Sequence, residues 1–131
     1  VLPTITPHIA GSTDVEDPLA TFFGSLDKVA ALEGLTCALP AHGHPFDDLV
    51  GRCTHIREHH DDRLQLLRDA APEHLDAPVQ AWMRVLFKER SWGEMAASET
   101  YSHLEHLRLI EQPPAPRDSH GLLRFSITTV Q

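Results

Sequence analysis

Apolar residues recur at helical spacing directly after a capping signal near the start of the chain. Asp17 suits an N-cap, and Pro18 is tolerated at the first helical position, where a missing N–H costs no hydrogen bond. Gly34 is a stop signal, so the pattern predicts a helix over residues 18–33. The apolar positions of this helix are Leu19, Phe22, Phe23, Leu26, Val29 and Ala30. Residues 1–16 show no sustained period and predict an irregular loop.

A short apolar run and a long amphipathic helix follow. The run Leu35–Leu39, closed by Pro40, is too short for a helix and predicts a buried strand. Asp47 or Asp48 then caps a helix that ends near residue 71, because the residue before a proline disfavours helical dihedrals. The apolar stripe of this helix consists of Leu49, Val50, Cys53, Ile56, His60, Leu64 and Leu67.

The pattern changes after Pro72, and we place a domain boundary there, between residues 1–71 and residues 72–131. The elements predicted beyond it are a helix around 78–88, a break at Ser91–Gly93, a helix over 95–110 and a strand over 121–130. Two or three helices closed by a β-hairpin are the outline of a winged helix. The expected fold class is α+β and mostly helical.

Composition and charge exclude several function classes. The chain has 131 residues, with 19 acidic against 11 basic side chains and a formal net charge of −8. This balance has the wrong sign for a general nucleic-acid binder. The chain contains no uninterrupted run of about 20 apolar residues, so we expect no membrane span. Two cysteines are too few for a disulfide framework and favour a reducing, cytoplasmic location.

Ten histidines raise the question of metal binding. His42 and His44 form an H-x-H pair in the loop before the long helix, where two imidazoles could share one metal ion. A second cluster on that helix consists of His55, Glu58, His59 and His60. His55 and His59 lie four residues apart on one face, a spacing that can also present two ligands. The plainer interpretation of this second cluster is a polar face, in which imidazoles pair with acidic neighbours and one histidine packs under a neighbour.

A third group lies in the last predicted helix. Glu99, His103 and His106 fall opposite the apolar stripe of that helix, so we expect them on a solvated face. Cys37 in the predicted strand and Cys53 on the apolar stripe are expected to be small core residues rather than ligands.

Five segments, taken in order, resemble metallo-β-lactamase-fold hydrolases of the β-lactamase-like-protein-2 type. Val1–Ile9 resembles the stretch that follows the bridging metal aspartate of that family, and Leu39-Pro40-Ala41-His42-Gly43 is similar to its L-P-G-H-G motif. The other segments are D-P-L with S-L at 17–26, H-H-D-D-R at 59–63 and E-T-Y-S-H-L-E-H-L at 99–107. The last of these resembles a helix of the C-terminal winged-helix domain that such enzymes carry.

The resemblance implies a fold for each half of the chain. Residues 1–71 would be the strand-helix end of an αββα metallo-β-lactamase domain, and residues 72–131 a winged-helix-like domain with a C-terminal β-hairpin. The apolar faces of the first segment, including Phe22, Phe23 and Leu35–Leu39, would then need cover from the rest of that domain.

The resemblance also implies an activity. It implies a zinc-dependent hydrolase, in which one or two metal ions activate a bound water against an ester, thioester or phosphodiester. His42 is the one metal ligand that the resemblance transfers, and it assigns no role to His8, His44 or His59. Because the other ligands are expected upstream of Val1, we expect this segment alone to be inactive.

Two alternatives from other functional classes remain open. The chain could be a non-catalytic winged-helix interaction module, although the acidic last helix makes DNA an unexpected partner. It could also be a small independent metal-binding domain that uses His42, His44, His55 and His59. The expected partners are a small-molecule substrate or RNA, the remainder of the same polypeptide, and a second copy in a homodimer.

Overall fold

The computed structural model describes residues 1, 7–11, 14–111, 124–125 and 127 of the chain. Within these residues, the protein is a mostly helical α+β structure. The helices are α1 (Pro18–Ala30), α2 (Leu49–Ala70), α3 (Val79–Leu86) and α4 (Glu94–Glu111), and the strands are β1 (Ala77–Pro78) and β2 (Arg124–Phe125). Single turns of 3₁₀ helix cover Ala71–Glu73 and Glu89–Ser91.

Local capping chemistry sets the ends of the first two helices. The Asp17 carboxylate accepts a hydrogen bond from the Ala20 backbone N–H at 2.8 Å, and Pro18 is the first residue of α1, as predicted. The Asp48 carboxylate caps α2 in the same way, through the Gly51 N–H at 2.8 Å. Helix α1 ends at Ala30, three residues before the predicted end, and α2 ends at Ala70 as expected.

The predicted buried strand over Leu35–Leu39 is wrong. This stretch is an irregular connection whose β pairing consists of an isolated antiparallel bridge between Ala38 and Phe46. Leu35 and Leu39 are 50% and 81% exposed, and Cys37 is exposed instead of belonging to a core. A buried strand needs partners along its edges, and the described part of this chain offers it one bridge.

The second half of the chain follows its helical pattern. Helices α3 and α4 occupy the two predicted positions, and β1 pairs antiparallel with β2, with Ala77 opposite Phe125. Most of the predicted strand over 121–130 lies outside the described residues. Its described part pairs with the short strand before α3, and the predicted hairpin falls on residues that the structure does not describe.

The four helices and β2 share one hydrophobic core. Helix α1 packs on α2 and α4, and α3 packs on both α2 and α4. The core includes Leu19, Leu26, Ile56, Leu64, Leu67, Trp82, Leu104, Leu107, Phe125 and Ile127. Residues from both sides of Pro72 therefore contribute to the same core, while the domain boundary proposed there stays a prediction.

Phe23 is covered by other described residues of this chain, contrary to the expectation that it needs cover from the rest of a larger domain. Its side chain is buried, its ring meets the edge of the His106 ring, and the Arg57 guanidinium lies 4.5 Å from its centroid. Arg57 also donates to the Phe23 carbonyl at 3.1 Å. The neighbouring Phe22 is half-buried. These contacts come from α2 and α4, which the periodicity of α1 alone does not reveal.

The segment before α1 is fixed on the surface of α4. The Ser102 hydroxyl donates to the Ile9 carbonyl at 3.0 Å, and the Gly11 N–H donates to the Ser98 hydroxyl at 2.9 Å. A Cβ atom at Gly11 would lie 2.5 Å from the Tyr101 ring, so this close approach requires glycine. As a result, Ile9 is buried and His8 is held beside α4.

Among the described helices, none combines the length and the apolar character that crossing a membrane would require.

Adjacent leucines of α2 provide a matched test of this packing. Leu67 is fully buried in the core, whereas Leu66 is 48% exposed on the same helix. We expect Leu67→Ala to lower the free energy of unfolding by about 2–5 kcal/mol through a cavity that the core cannot close. Leu66→Ala should change it by no more than about 0.5 kcal/mol. Urea denaturation measures both variants, and equal losses would contradict the assigned core.

Candidate functional site

His42 lies at the tip of the connection between α1 and α2. The bridge at the base of this loop has two backbone hydrogen bonds, 2.7 Å from the Ala38 N–H to the Phe46 carbonyl and 3.1 Å in the reverse direction. Gly43, with φ of 91°, turns the backbone directly after His42. The His42 side chain is exposed, so it is available to a ligand or to another segment of protein.

His42 does not belong to an assembled metal site within the described residues. Among them, the only group of at least three His, Cys, Asp or Glu ligand atoms within 4.8 Å of one another excludes it. His44 and His55 are also exposed, and His55 lies 3.3 Å from the Arg52 guanidinium. The four-histidine domain that includes His59 is therefore not formed in this structure. His42 as a single metal ligand stays a prediction.

The structure assembles a different group of ligand types, in the interface between α2 and α4. His60 from α2 meets Glu99 and His103, which lie one turn apart on α4. We call these three residues the His–Glu–His cluster. Both imidazoles are fully buried, and Glu99 is 8% exposed. The Nδ1 atom of His60 lies 3.0 Å from the Nε2 atom of His103.

The expected solvated face of Glu99 and His103 is therefore wrong. Helix α4 is covered on more than one side, because α1, α2, α3 and the segment before α1 all pack against it. His106 is also mostly covered, and its Nδ1 atom lies 2.8 Å from the Asp17 carboxylate. His60 fits the expectation that one histidine of α2 packs under a neighbour. Its place on the apolar stripe was the signal for its burial.

Hydrogen-bond geometry assigns the protons of the two buried imidazoles. His103 Nδ1 lies 2.7 Å from the Glu99 backbone carbonyl, which can only accept, so this nitrogen carries a proton. Burial lowers the pKa of His103 to about 4, so the ring is neutral near pH 7 and its Nε2 atom is an acceptor. His60 Nδ1 is then the donor between the rings. Burial, with the neighbouring imidazole of His103, also lowers the pKa of His60 to about 3.

This assignment leaves one buried nitrogen with a bare lone pair. The Nε2 atom of His60 has no hydrogen-bond partner among the described residues. It is therefore an unused acceptor inside the protein, which costs free energy unless a donor or a cation meets it. Phe22 and Phe23 present their rings to the His60 ring at centroid distances of 5.6 and 6.1 Å.

The carboxylate of Glu99 is held from two directions. Arg63 of α2 forms an ion pair with one oxygen, Oε1. His8 of the N-terminal segment lies 3.0 Å from the other oxygen, Oε2. Both side chains are mostly covered, with 18% exposure for Arg63 and 28% for His8. The carboxylate therefore links the N-terminal segment, α2 and α4 in one network.

Comparison with solved structures relates this arrangement to a known fold. A beta-lactamase domain protein from Burkholderia ambifaria matches 96% of this chain, with 27% identity and a TM-score of 0.78. A metallo-beta-lactamase family protein from Thermus thermophilus matches 95% of it, with 30% identity and a TM-score of 0.73. The chain is related to metallo-β-lactamase-fold proteins. No protein-family model and no curated protein matches the sequence.

The match covers nearly all of this chain but a minority of each metallo-β-lactamase-fold protein. This chain corresponds to 38% of the Burkholderia protein and 39% of the Thermus protein. The resemblance found in five short motifs is thereby confirmed at the level of the fold.

The two buried imidazoles predict a pH dependence of stability. Their pKa values in the folded chain, about 3 for His60 and about 4 for His103, lie below the ordinary value of 6.5. Between about pH 6.5 and pH 4 the unfolded chain binds more protons, so the free energy of unfolding falls as the pH falls. We expect a loss of up to about 2 kcal/mol per imidazole between pH 7.5 and pH 5, measured by urea unfolding.

A pair of variants separates this effect from other titrations. His103→Gln removes one buried imidazole and should lose part of the pH dependence over that window. His55→Gln, at an exposed position on α2, should keep the wild-type dependence. Identical pH profiles for the wild type and His103→Gln would show that the burial of His103 does not govern the pH dependence of stability.

Proposed function

We propose that this chain is the C-terminal portion of a metal-dependent hydrolase of the metallo-β-lactamase superfamily. The observation that carries the proposal is the structural match over 95–96% of the chain at 27–30% identity. The names of both matched proteins refer to β-lactamases, and the second to a metallo-enzyme family. Because the chain corresponds to 38–39% of their lengths, the hydrolytic activity is proposed for a protein that includes further residues.

The His42 loop is the proposed contribution of this chain to the hydrolytic centre. A neutral imidazole is a suitable zinc ligand, and His42 is exposed beside Gly43 at the tip of a braced loop. One ligand does not close a zinc site, so the other ligands would come from the remainder of the polypeptide. Zinc, when bound, supplies a water of lowered pKa and polarises the scissile carbonyl or phosphoryl group. The proposed substrates are esters, thioesters or phosphodiesters.

The exposed apolar side chains around this loop support a partner within the same protein. Leu32, Leu35 and Leu39 are 57%, 50% and 81% exposed, and Val50 at the start of α2 is 54% exposed. Soluble proteins seldom leave such groups uncovered together. We propose that the remainder of the polypeptide packs on this surface and thereby presents the other metal ligands to His42.

A winged-helix-like interaction module is the second candidate for residues 72–131. The order β1, α3, α4, β2, with β1 antiparallel to β2, supports this proposal. Helix α4 would be the recognition helix of such a module, yet eight of its 18 residues are buried in the protein. Its buried residues are Ala96, Glu99, Thr100, Ser102, His103, Leu104, Glu105 and Leu107. The module would therefore serve contacts between protein segments, including a homodimer, more readily than nucleic-acid binding.

The two free cysteines support a cytoplasmic location for this proposed enzyme. Cys53 is buried and burial raises the pKa of its thiol, so it is an unreactive core residue. Cys37 is exposed and unpaired with Cys53, as expected in a reducing compartment.

Substitution of His42 in the full-length protein tests the hydrolase proposal. We expect His42→Ala to remove about half or more of the bound zinc and to lower kcat/KM on thioester and ester substrates by about 100-fold or more. His44→Ala, two residues along the same exposed loop, is the matched control and should keep the wild-type zinc content and kcat/KM. Wild-type zinc content and turnover in His42→Ala would overturn the assignment.

Retention on nucleic acid tests the second candidate. Helix α4 carries Glu94, Glu99, Glu105 and Glu111 against the single cation Arg108. Arg108 is itself engaged by Glu105, at 2.5 Å. We therefore expect no binding to duplex DNA or to RNA at about 0.15 M salt, where phosphate contacts by Lys and Arg supply the affinity. Retention that weakens steeply with added salt, measured by fluorescence anisotropy, would favour the nucleic-acid function instead.

A further inference from the structure

The His–Glu–His cluster is separate from the His42 loop and is not used by the proposed hydrolytic centre. It joins α2 to α4 in the interior, whereas His42 is exposed on the connection between α1 and α2. We propose that His60, Glu99 and His103 form a second, structural metal site that takes a zinc-type transition-metal ion. This inference does not depend on the hydrolase proposal, because its three residues are all described in this chain.

The spacing of the two imidazole nitrogens suits a shared ion. Two nitrogen ligands that each lie 2.0–2.1 Å from a tetrahedral zinc ion are about 3.3 Å apart. His60 Nδ1 and His103 Nε2 are 3.0 Å apart, and all three ligand atoms of the cluster fall within 4.8 Å of one another. The two nitrogens would therefore separate by a few tenths of an ångström to share an ion, with the Glu99 carboxylate as the third ligand and a water molecule in the fourth position.

The protonation state of the cluster also suits a metal ion. Both rings are neutral near pH 7, which is the form that binds a metal. The proton on His60 Nδ1 would have to move to Nε2 when Nδ1 takes an ion. Nε2 makes no hydrogen bond within the described chain, so its new proton displaces no partner there. The bond that is lost is the one from His60 Nδ1 to His103 Nε2, and the ion takes its place between the two rings.

The side chains around the cluster already orient its ligands. The other ring nitrogen of His103, Nδ1, donates its proton to the Glu99 backbone carbonyl at 2.7 Å, which is the usual outer contact of a metal-binding histidine. Arg63 and His8 hold the Glu99 carboxylate, one at each oxygen. In a site built in this way, binding a metal requires little reorganisation of the helices.

The charges in the cluster restrict the kind of ion. The charges of Glu99 and Arg63 cancel, so the carboxylate offers less attraction to a cation than a free acid would. The attraction must then come mainly from the two imidazoles, which favour zinc and similar transition metals over magnesium or calcium. We therefore expect binding of Zn²⁺ and Co²⁺ but not of Mg²⁺.

An open groove lies beside this interior site. The groove has a volume of about 310 Å³ and is lined by residues that include His8, Phe22 and Ser25. Phe22 lies against the His60 ring, and His8 contacts Glu99, so two lining residues touch the cluster directly. Rotation of either side chain would open a path for a hydrated ion.

Titration of the 131-residue chain with CoCl₂ and ZnCl₂ tests this site. We expect one Co²⁺ per chain, seen by its visible d–d absorption, and displacement of the Co²⁺ by Zn²⁺. His103→Gln should raise the Kd for Co²⁺ by more than the roughly 100-fold that the loss of an outer partner can cost. His106→Gln, on the same helix and paired with Asp17, is the matched control and should bind like the wild type. His42→Ala should also bind, which separates this site from the hydrolytic centre.

The rise in Tm that ZnCl₂ causes tests the site even in a variant whose metal-free stability is lower. Glu99→Gln preserves the shape of the side chain, and each variant is first checked for cooperative unfolding by circular dichroism. ZnCl₂ should raise the Tm of the wild type and of His106→Gln much more than that of Glu99→Gln or His103→Gln. The proposal is overturned if the folded wild type binds neither ion, or if His42→Ala abolishes binding while His103→Gln and Glu99→Gln retain it.

Discussion

Two neutral imidazoles, His60 on α2 and His103 on α4, meet at 3.0 Å inside the protein, and the packing of the other elements depends on that contact. Desolvation disfavours a charge on either ring, so the pair holds together as one donor and one acceptor. This hydrogen bond joins α2 to α4 in the interior of the protein. Phe22 and Phe23 then bring α1 against the same rings, so three helices converge at one polar point within an apolar core.

The same point also organises a charged network. Glu99, one turn before His103, receives Arg63 from α2 and His8 from the segment that precedes α1. A carboxylate this far from water is tolerated because both of its oxygens are engaged by cationic or hydrogen-bonding groups. The N-terminal segment is thus fixed to the last helix, about 90 residues away along the chain, through a polar contact instead of a strand pairing.

The relationship to metallo-β-lactamase-fold proteins gives these features a functional setting. The buried cluster lies within the helical core, and the loop that carries His42 is exposed. Functional groups commonly lie on loops that a rigid scaffold positions. In the function that we propose, α1 and α2 flank the His42 loop on both sides. The exposed leucines near the loop pack against the remainder of the enzyme.

The sequence by itself determined the helices, their caps and the relationship to a known fold. Asp17-Pro18 and Asp48 act on neighbouring backbone groups, and the apolar periodicity of α1, α2 and α4 needs no knowledge of distant residues. The strand at Leu35–Leu39 was predicted wrongly, because an apolar run becomes a strand only when another strand pairs with it. Only the tertiary structure decided that Glu99 and His103 are buried with His60. Periodicity assigns one apolar face to a helix, whereas α4 is covered on several sides by segments up to about 90 residues away, and that contact is not encoded locally.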